Sequence, residues 1–314
     1  MRRVPVPFVV AFVLAALWIG AAGSAHAQRY PVVYNFFSGI PSELVEPGGS
    51  LPGSNDWSCR PSAEHPNPVV LAHGTGGGAQ TNWGVYVPLL ANEGYCVYAL
   101  TYGAHALPWP LSAIGGMRPM EQSGSELAAF VDRVLAATGA AKVDIVGHSQ
   151  GNFIGNYYVK RLGGADKVDK LVGLAPPWLG TNAGGLGAAA AFAARLGAGP
   201  AFDMAVGATM CHACRQLIAG SPFLEALNAD GVYHPDITYT NIATRLDEAV
   251  IPYTAGLVPG PNVTNVVVQD GCAQDYSEHA GIAGTARAAG FVMNALDPAH
   301  QRPVPCQFAA PFTG

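Results

Sequence analysis

The sequence predicts an α/β domain in which a mostly parallel sheet is covered by helices on both faces and carries a helical insertion late in the chain. Three observations carry this. Short unbroken apolar runs alternate with stretches of helical periodicity, the pattern of strands buried on both faces. The alternation stops at Trp178 and resumes at Ile237. Of the 314 residues, 50% are hydrophobic and 12% charged, enough apolar mass for a large core.

The elements follow in order. Residues 28–66 are irregular and rich in Pro, Gly and Ser, and read as an arm over the surface. Val69-Val70-Leu71-Ala72 is the first strand-like run and ends in His73-Gly74-Thr75-Gly76-Gly77-Gly78. A helical stretch is expected near Trp83–Asn92, followed by a second apolar run over Cys96–Leu100. Ser125–Thr138 places Leu127, Phe130, Val131, Val134 and Leu135 on one helical face, at i, i+3, i+4, i+7 and i+8. Val143-Asp144-Ile145-Val146 is the third run and enters Gly147-His148-Ser149-Gln150-Gly151. The helix after it buries Phe153, Ile154, Tyr157 and Tyr158. Val168–Leu174 is the fourth run. Residues 178–229 carry only Arg195, Asp203, Arg215 and Glu225 as charges, with a helix-prone stretch over Ala188–Ala194. This segment, about 178–230, reads as a cap or lid inserted into a domain spanning 28–314. Strand signals return at Ile237–Ala243 and Val263–Val268, and Gly281–Leu296 is the last helix.

Composition removes several classes. The low charge, with 39 Gly and 25 Pro spread without a period, excludes coiled coil and collagen. The apolar content excludes a disordered chain. A net charge of −5 leaves nucleic-acid binding without an electrostatic footprint.

Residues 1–27 read as a secretory signal: Arg2 and Arg3, an uncharged run from Val4 to Ala22, and the cleavage site Ala25-His26-Ala27. An uncleaved anchor is the alternative, against which Pro5, Pro7 and the cleavage site argue. No further span is expected once the signal is removed, so the protein is placed outside the cell. Six cysteines, all beyond the leader, suggest three disulfides in an exported chain. Fifteen pairings are possible and the sequence does not choose among them. The pattern expected here is Cys59–Cys96, Cys211–Cys214 and Cys272–Cys306. Zinc at Cys211-His212-Ala213-Cys214 is disfavoured because no second CxxC accompanies it.

The chemistry centres on Gly147-His148-Ser149-Gln150-Gly151. A bare G-x-S-x-G means little in a chain this rich in glycine; its place between a strand and a helix is what makes Ser149 a candidate nucleophile. There the serine takes a strained turn, and the helix start aims backbone N–H groups at a reacting carbonyl. His148 is expected to point away from Ser149. Asp247, in the loop after the Ile237–Ala243 run, is the candidate acid that holds the base, with Glu248 as its competitor. His279 is the candidate base, because only it and the tail residue His300 follow Asp247. The amides of Thr75 and Gln150 are the candidate oxyanion donors. A phosphate loop is excluded at Gly74–Gly78 because no Gly-Lys-Ser/Thr follows.

On these residues the chain resembles the α/β-hydrolase superfamily, and more narrowly the secreted bacterial triacylglycerol lipases and esterases of the lipase class 2 group. The shared features are His73-Gly74-Thr75, Gly94-Tyr95-Cys96-Val97-Tyr98, Val143–Val146 with the elbow, Asp247 through Pro252, and Ser277-Glu278-His279. They span roughly residues 66–306. Asn152 departs from the pattern, which often has a small residue there. The resemblance implies an α/β-hydrolase fold and hydrolysis of lipid esters by a Ser149–His279–Asp247 triad, with no metal or organic cofactor. The implied partners are a lipid ester and a lipid–water interface. Two other readings stay open at this point: an acyltransferase using the same triad, and a catalytically silent lipid-binding protein on the same fold.

Overall fold

The structure is a computed structural model that describes residues 30–183 and 210–313. The leader expected over 1–27 and the Ala188–Ala194 stretch of the insertion lie outside the described residues.

Six strands form one sheet: β1 (Val69–Ala72), β2 (Val97–Leu100), β3 (Val143–His148), β4 (Val168–Leu174), β5 (Thr238–Ala243) and β6 (Val263–Val267). Their order is β2-β1-β3-β4-β5-β6, and every neighbouring pair is parallel. All-parallel pairing needs long crossovers, which is why each strand is followed by helical or extended connections over a face. Growth of the sheet reverses at β1, with β2 on one side and β3 on the other. In open α/β sheets the crevice beyond the strand ends at such a reversal is where ligands bind.

Seven α-helices are described: α1 (Ile40–Val45), α2 (Tyr86–Asn92), α3 (Met120–Thr138), α4 (Gln150–Arg161), α5 (His212–Gln216), α6 (Pro222–Asn228) and α7 (Ala286–Leu296). The period-2 alternation of the strands sorts the core into two layers. Val69, Leu71, Val97, Val146 and Val172 pack with α2 and α7. Val70, Tyr98, Ile145, Leu171 and Tyr239 pack with α3 and α4 on the other face. The described end of the insertion belongs to that second layer, where Ala213 of α5 and Phe223, Leu224 and Leu227 of α6 are buried.

The arm departs from its expected character. It contains a 3-10 turn over Phe36–Gly39 and the short α1, both seated against the body of the protein rather than laid over it. The disulfides are Cys59–Cys96, Cys211–Cys214 and Cys272–Cys306. The first fastens the arm to the residue before β2. The third fastens the segment leading to His279 to the tail. Closing loops of 37 and 34 residues in this way restricts the unfolded chain, each by roughly 4 kcal/mol in the loop-entropy account.

Candidate active site

Ser149 sits between the end of β3 and the start of α4 with φ 52° and ψ −120°, a backbone conformation that costs energy for any residue with a side chain. Its neighbours explain how the turn closes. A Cβ on Gly151 would lie 1.9 Å from the Ala72 carbonyl oxygen, and one on Gly147 would lie 2.7 Å from Asn152 Oδ1. Only glycine fits at either position. The Ser149 N–H donates to the Leu174 carbonyl at 2.9 Å, which fixes the elbow to the end of β4. Asn152 lies fully buried beneath the turn and donates through Nδ2 to the carbonyls of Ser149 (3.0 Å) and Leu174 (3.3 Å). The departure noted at this position therefore braces the elbow from below and does not shape the pocket.

Three residues far apart in sequence meet above the sheet. The Ser149 hydroxyl lies 2.8 Å from His279 Nε2. His279 Nδ1 lies 3.0 Å from Asp247 Oδ2 and 2.9 Å from Oδ1. The Asp247 side chain is only 1% exposed, and its Oδ1 accepts the N–H groups of Ala249 (3.0 Å) and Val250 (2.6 Å). Those bonds hold the carboxylate in the orientation the imidazole needs. Glu248 does something else: its carboxylate accepts the backbone N–H of His279 at 3.2 Å. It anchors the loop that carries the imidazole and does not touch the ring nitrogens. The loops of Asp247 and His279 are further joined where the Thr244 hydroxyl donates to the Ser277 carbonyl at 2.6 Å. His300 lies exposed on Asp297, outside this group.

The loop after β1 packs over the elbow, and a Cβ on Gly74 would lie 3.3 Å from Ser149 Cβ. Two buried imidazoles support it. His73 stacks on Tyr102 with ring centroids 4.0 Å apart, donates from Nδ1 to the Gly74 carbonyl at 2.8 Å and accepts the Tyr102 N–H on Nε2 at 3.1 Å. Burial pushes its pKa down to about 4. His148 does point away from Ser149. Its Nε2 lies 2.9 Å from the His279 carbonyl oxygen, and its Nδ1 lies 3.0 Å from Asn82 Oδ1. Desolvation, reinforced by the neighbouring His279, pushes the His148 pKa down to about 3. Asn82 in turn accepts the Gly74 N–H at 3.1 Å. One ring thus links the Gly74 loop to the His279 loop, and nothing in the residue pattern signals Asn82 for that part.

The Thr75 hydroxyl donates to Gln150 Oε1 at 2.6 Å, which brings the loop and the elbow together at the two positions expected to supply oxyanion donors. Among the described residues neither backbone amide is taken by a protein acceptor. Asp144, at the opposite end of β3, shows that a perturbed carboxyl need not be part of the chemistry. Burial raises its pKa to about 6 against the pull of Lys170, at the foot of the sheet. A cavity of about 550 Å³ opens over Ser149 and His279, within the size range of small-molecule sites.

The family model for lipase (class 2) matches residues 66–289. The chain belongs to the class 2 lipase family. Solved lipases share the fold at low sequence identity. Lipase B of Aspergillus fumigatus superposes with a TM-score of 0.58 at 16% identity, covering 83% of this chain and 62% of its own. The mature form of the Bacillus licheniformis lipase BlEst2 superposes with a TM-score of 0.50 at 16% identity, covering 79% of this chain and 96% of its own. The chain thus spans about 62% of the length of the fungal structure, and what it has in common with both is the α/β-hydrolase fold. No helix among its described residues is long and apolar enough to cross a membrane.

Proposed function

We propose that the protein is an exported carboxylic ester hydrolase that cleaves lipid esters through a Ser149–His279–Asp247 triad. The observation that carries this reading is the unbroken run of contacts from Asp247 through the His279 ring to the Ser149 hydroxyl, on a strained elbow at the floor of an apolar cavity. His279 Nε2 takes the Ser149 proton as the oxygen attacks the ester carbonyl. The Thr75 and Gln150 amides receive the oxyanion, a donor pair whose members are each typically worth about 3 kcal/mol in the transition state. The C–O bond to the alcohol then breaks, and the alcohol leaves with the proton from His279. Water, deprotonated by the same ring, attacks the acyl-enzyme and releases the acid. Asp247 stabilises the imidazolium in both steps, and none of them calls on a metal or organic cofactor. The three disulfides and the sequence of residues 1–27 support export, and the sparse charge of 178–229 supports work at a lipid–water interface.

A fluorophosphonate probe followed by peptide mapping tests the assignment. Label is expected on Ser149 in the native protein and none in Ser149→Ala, which should fold normally and lose ester turnover. Native-level turnover in pure Ser149→Ala would overturn the triad. Products assayed with and without an added alcohol acceptor separate hydrolase from transferase, and free acid is expected to dominate in both.

A further inference from the structure

The cavity over Ser149 is walled in part by a segment that the catalytic argument does not use. Phe36, Phe37 and Ile40 of the arm line it together with Ile114. Phe37, Ile40 and Ile114 are left 46%, 37% and 37% exposed, so the opening presents apolar surface to water unless something covers it. The arm precedes residue 66, where the family match begins, so this wall is not part of the matched region.

The wall is firmly held. The ring of Phe36 lies edge-on to His148 at 5.9 Å and to Phe37 at 5.3 Å. The Phe36 N–H donates to the Thr313 carbonyl at 2.7 Å. Gly39 and Gly84 meet backbone to backbone: a Cβ on Gly39 would lie 2.0 Å from the Gln80 carbonyl oxygen, and one on Gly84 2.4 Å from the Gly39 nitrogen. Glu43 of α1 accepts from Gln80 Nε2 at 2.8 Å. The arm is therefore clamped to the loop that follows the oxyanion residues. The floor beside it is Gly74–Gly77, tied to the 115 turn by Gly76 N–H to Gly115 carbonyl (2.9 Å) and Gly115 N–H to Gly77 carbonyl (2.8 Å).

We infer that the arm builds the acyl subsite: Phe37 and Ile40, with Ile114, select a single acyl chain of medium length. This rests on Ser149 being the nucleophile. The ester carbonyl is then pinned between Ser149 and the Thr75 and Gln150 amides, and the departing alcohol oxygen must face His279 Nε2, on the side lined by Ala249, Val250 and Ala280. Of the remaining lining, Pro177, Thr181 and Leu217 make one set and the stretch of Gly74–Gly77 with Ile114 and the arm another, and the second offers the larger set of aromatic and branched side chains to an acyl chain. A cavity of about 550 Å³ lies in the size range of sites that hold one small molecule, and it suits one acyl chain with its ester.

Values of kcat/KM for p-nitrophenyl acetate, butyrate, octanoate and hexadecanoate test this on the full-length protein. The native enzyme is expected to favour octanoate over acetate by about tenfold or more, and to fall off at hexadecanoate. Phe37→Ala and Ile40→Ala should each lower the octanoate value about fivefold or more while leaving acetate within about twofold, because only the longer chain reaches those side chains. Ile40→Trp, which narrows the opening, should move the optimum to butyrate, an effect opposite to general damage. A native profile that declines steadily from acetate, or variants that lose all four esters in parallel, would overturn the subsite. Fluorophosphonate labelling at Ser149 distinguishes the two failures. Native-rate labelling with a parallel loss discards the subsite alone, whereas an unlabelled native protein discards the nucleophile and the subsite together.

Discussion

The two sides of the site are built from opposite chemistry. On the side of the loop after β1, the supports next to the elbow are neutral: His73 on Tyr102, His148 on Asn82, and the Thr75 hydroxyl on Gln150. No Asp, Glu, Lys or Arg occurs between Glu64 and Glu93, or between Asp144 and Lys160. On the far side the supports are carboxylates. Asp247 holds the imidazole, Glu248 takes the His279 N–H, and Glu278 takes the N–H groups of Gly281 and Phe312, each at 2.8 Å. The division matches the charges that the proposed acyl transfer would develop. A carboxylate beside the oxyanion would oppose it, while carboxylates around His279 favour the imidazolium.

Asp247→Asn is the strongest way to break this contrast. It should lower kcat by about four orders of magnitude, since the amide turns the wrong tautomer of His279 toward Ser149. Glu248→Gln should cost about tenfold or less, because it still accepts the His279 N–H, only without charge. Steady-state kinetics on the pair decides it: a larger loss for Glu248→Gln would make that residue the acid.

The neutral side predicts an acid sensitivity. His73 and His148 stay unprotonated in the fold down to about pH 4 and about pH 3, while in the unfolded chain they bind protons below about pH 6.5. The unfolded state therefore holds more protons across that window, and stability falls as pH falls. At pH 5 the two rings together should remove about 4 kcal/mol relative to pH 7.5. Asp144, raised to about 6, takes up a proton in the fold over the same interval and offsets part of this. Urea melts of the native protein and of His148→Gln at both values isolate the ring's share: the variant should lose about 2 kcal/mol of the pH effect, and an unchanged difference would mean that His148 is charged in the fold.

The smallest effect is expected at the seam between the two sides. Thr75→Val keeps the backbone amide but removes the hydroxyl that Gln150 Oε1 accepts, so the donor pair loses its tie. A fall of about threefold in kcat with little change in KM is expected, consistent with slight misplacement of the oxyanion donors. A change confined to KM would place the hydroxyl in substrate binding.

The strands β1 to β4 were legible because they sit in short, mostly apolar runs too short for a helix and bounded by turn residues; Val168–Leu174 is β4 to the residue. The start of α3 was not. The expected helix starts at Ser125, yet it begins at Met120 and carries Gly124 inside it, where a Cβ would lie 2.6 Å from the Tyr157 ring and only glycine lets the helix pack closely. Ser149, His279 and Asp247 could be picked out because the order of strands and loops leaves few residues for each position. Glu248 and Asn82 could not be placed in the same way, since their partners are backbone groups and a neighbouring imidazole whose proximity no local pattern encodes. The arm is the clearest case. Phe36, Phe37 and Ile40 have no period that separates a cavity wall from a surface strap, and their position depends on contacts with Gln80, Gly84 and Thr313.

The bond from the Phe36 N–H to the Thr313 carbonyl has a consequence for the order in which the enzyme is made. Phe36 leaves the ribosome long before Thr313. The strands, the elbow and the clamp of Gly39 on Gly84 can assemble while synthesis continues, but the bond at Phe36 waits for the segment that carries Cys306 and Thr313. A nascent chain that already holds Ser149 and His279 would still lack the last contact that fixes the cavity wall.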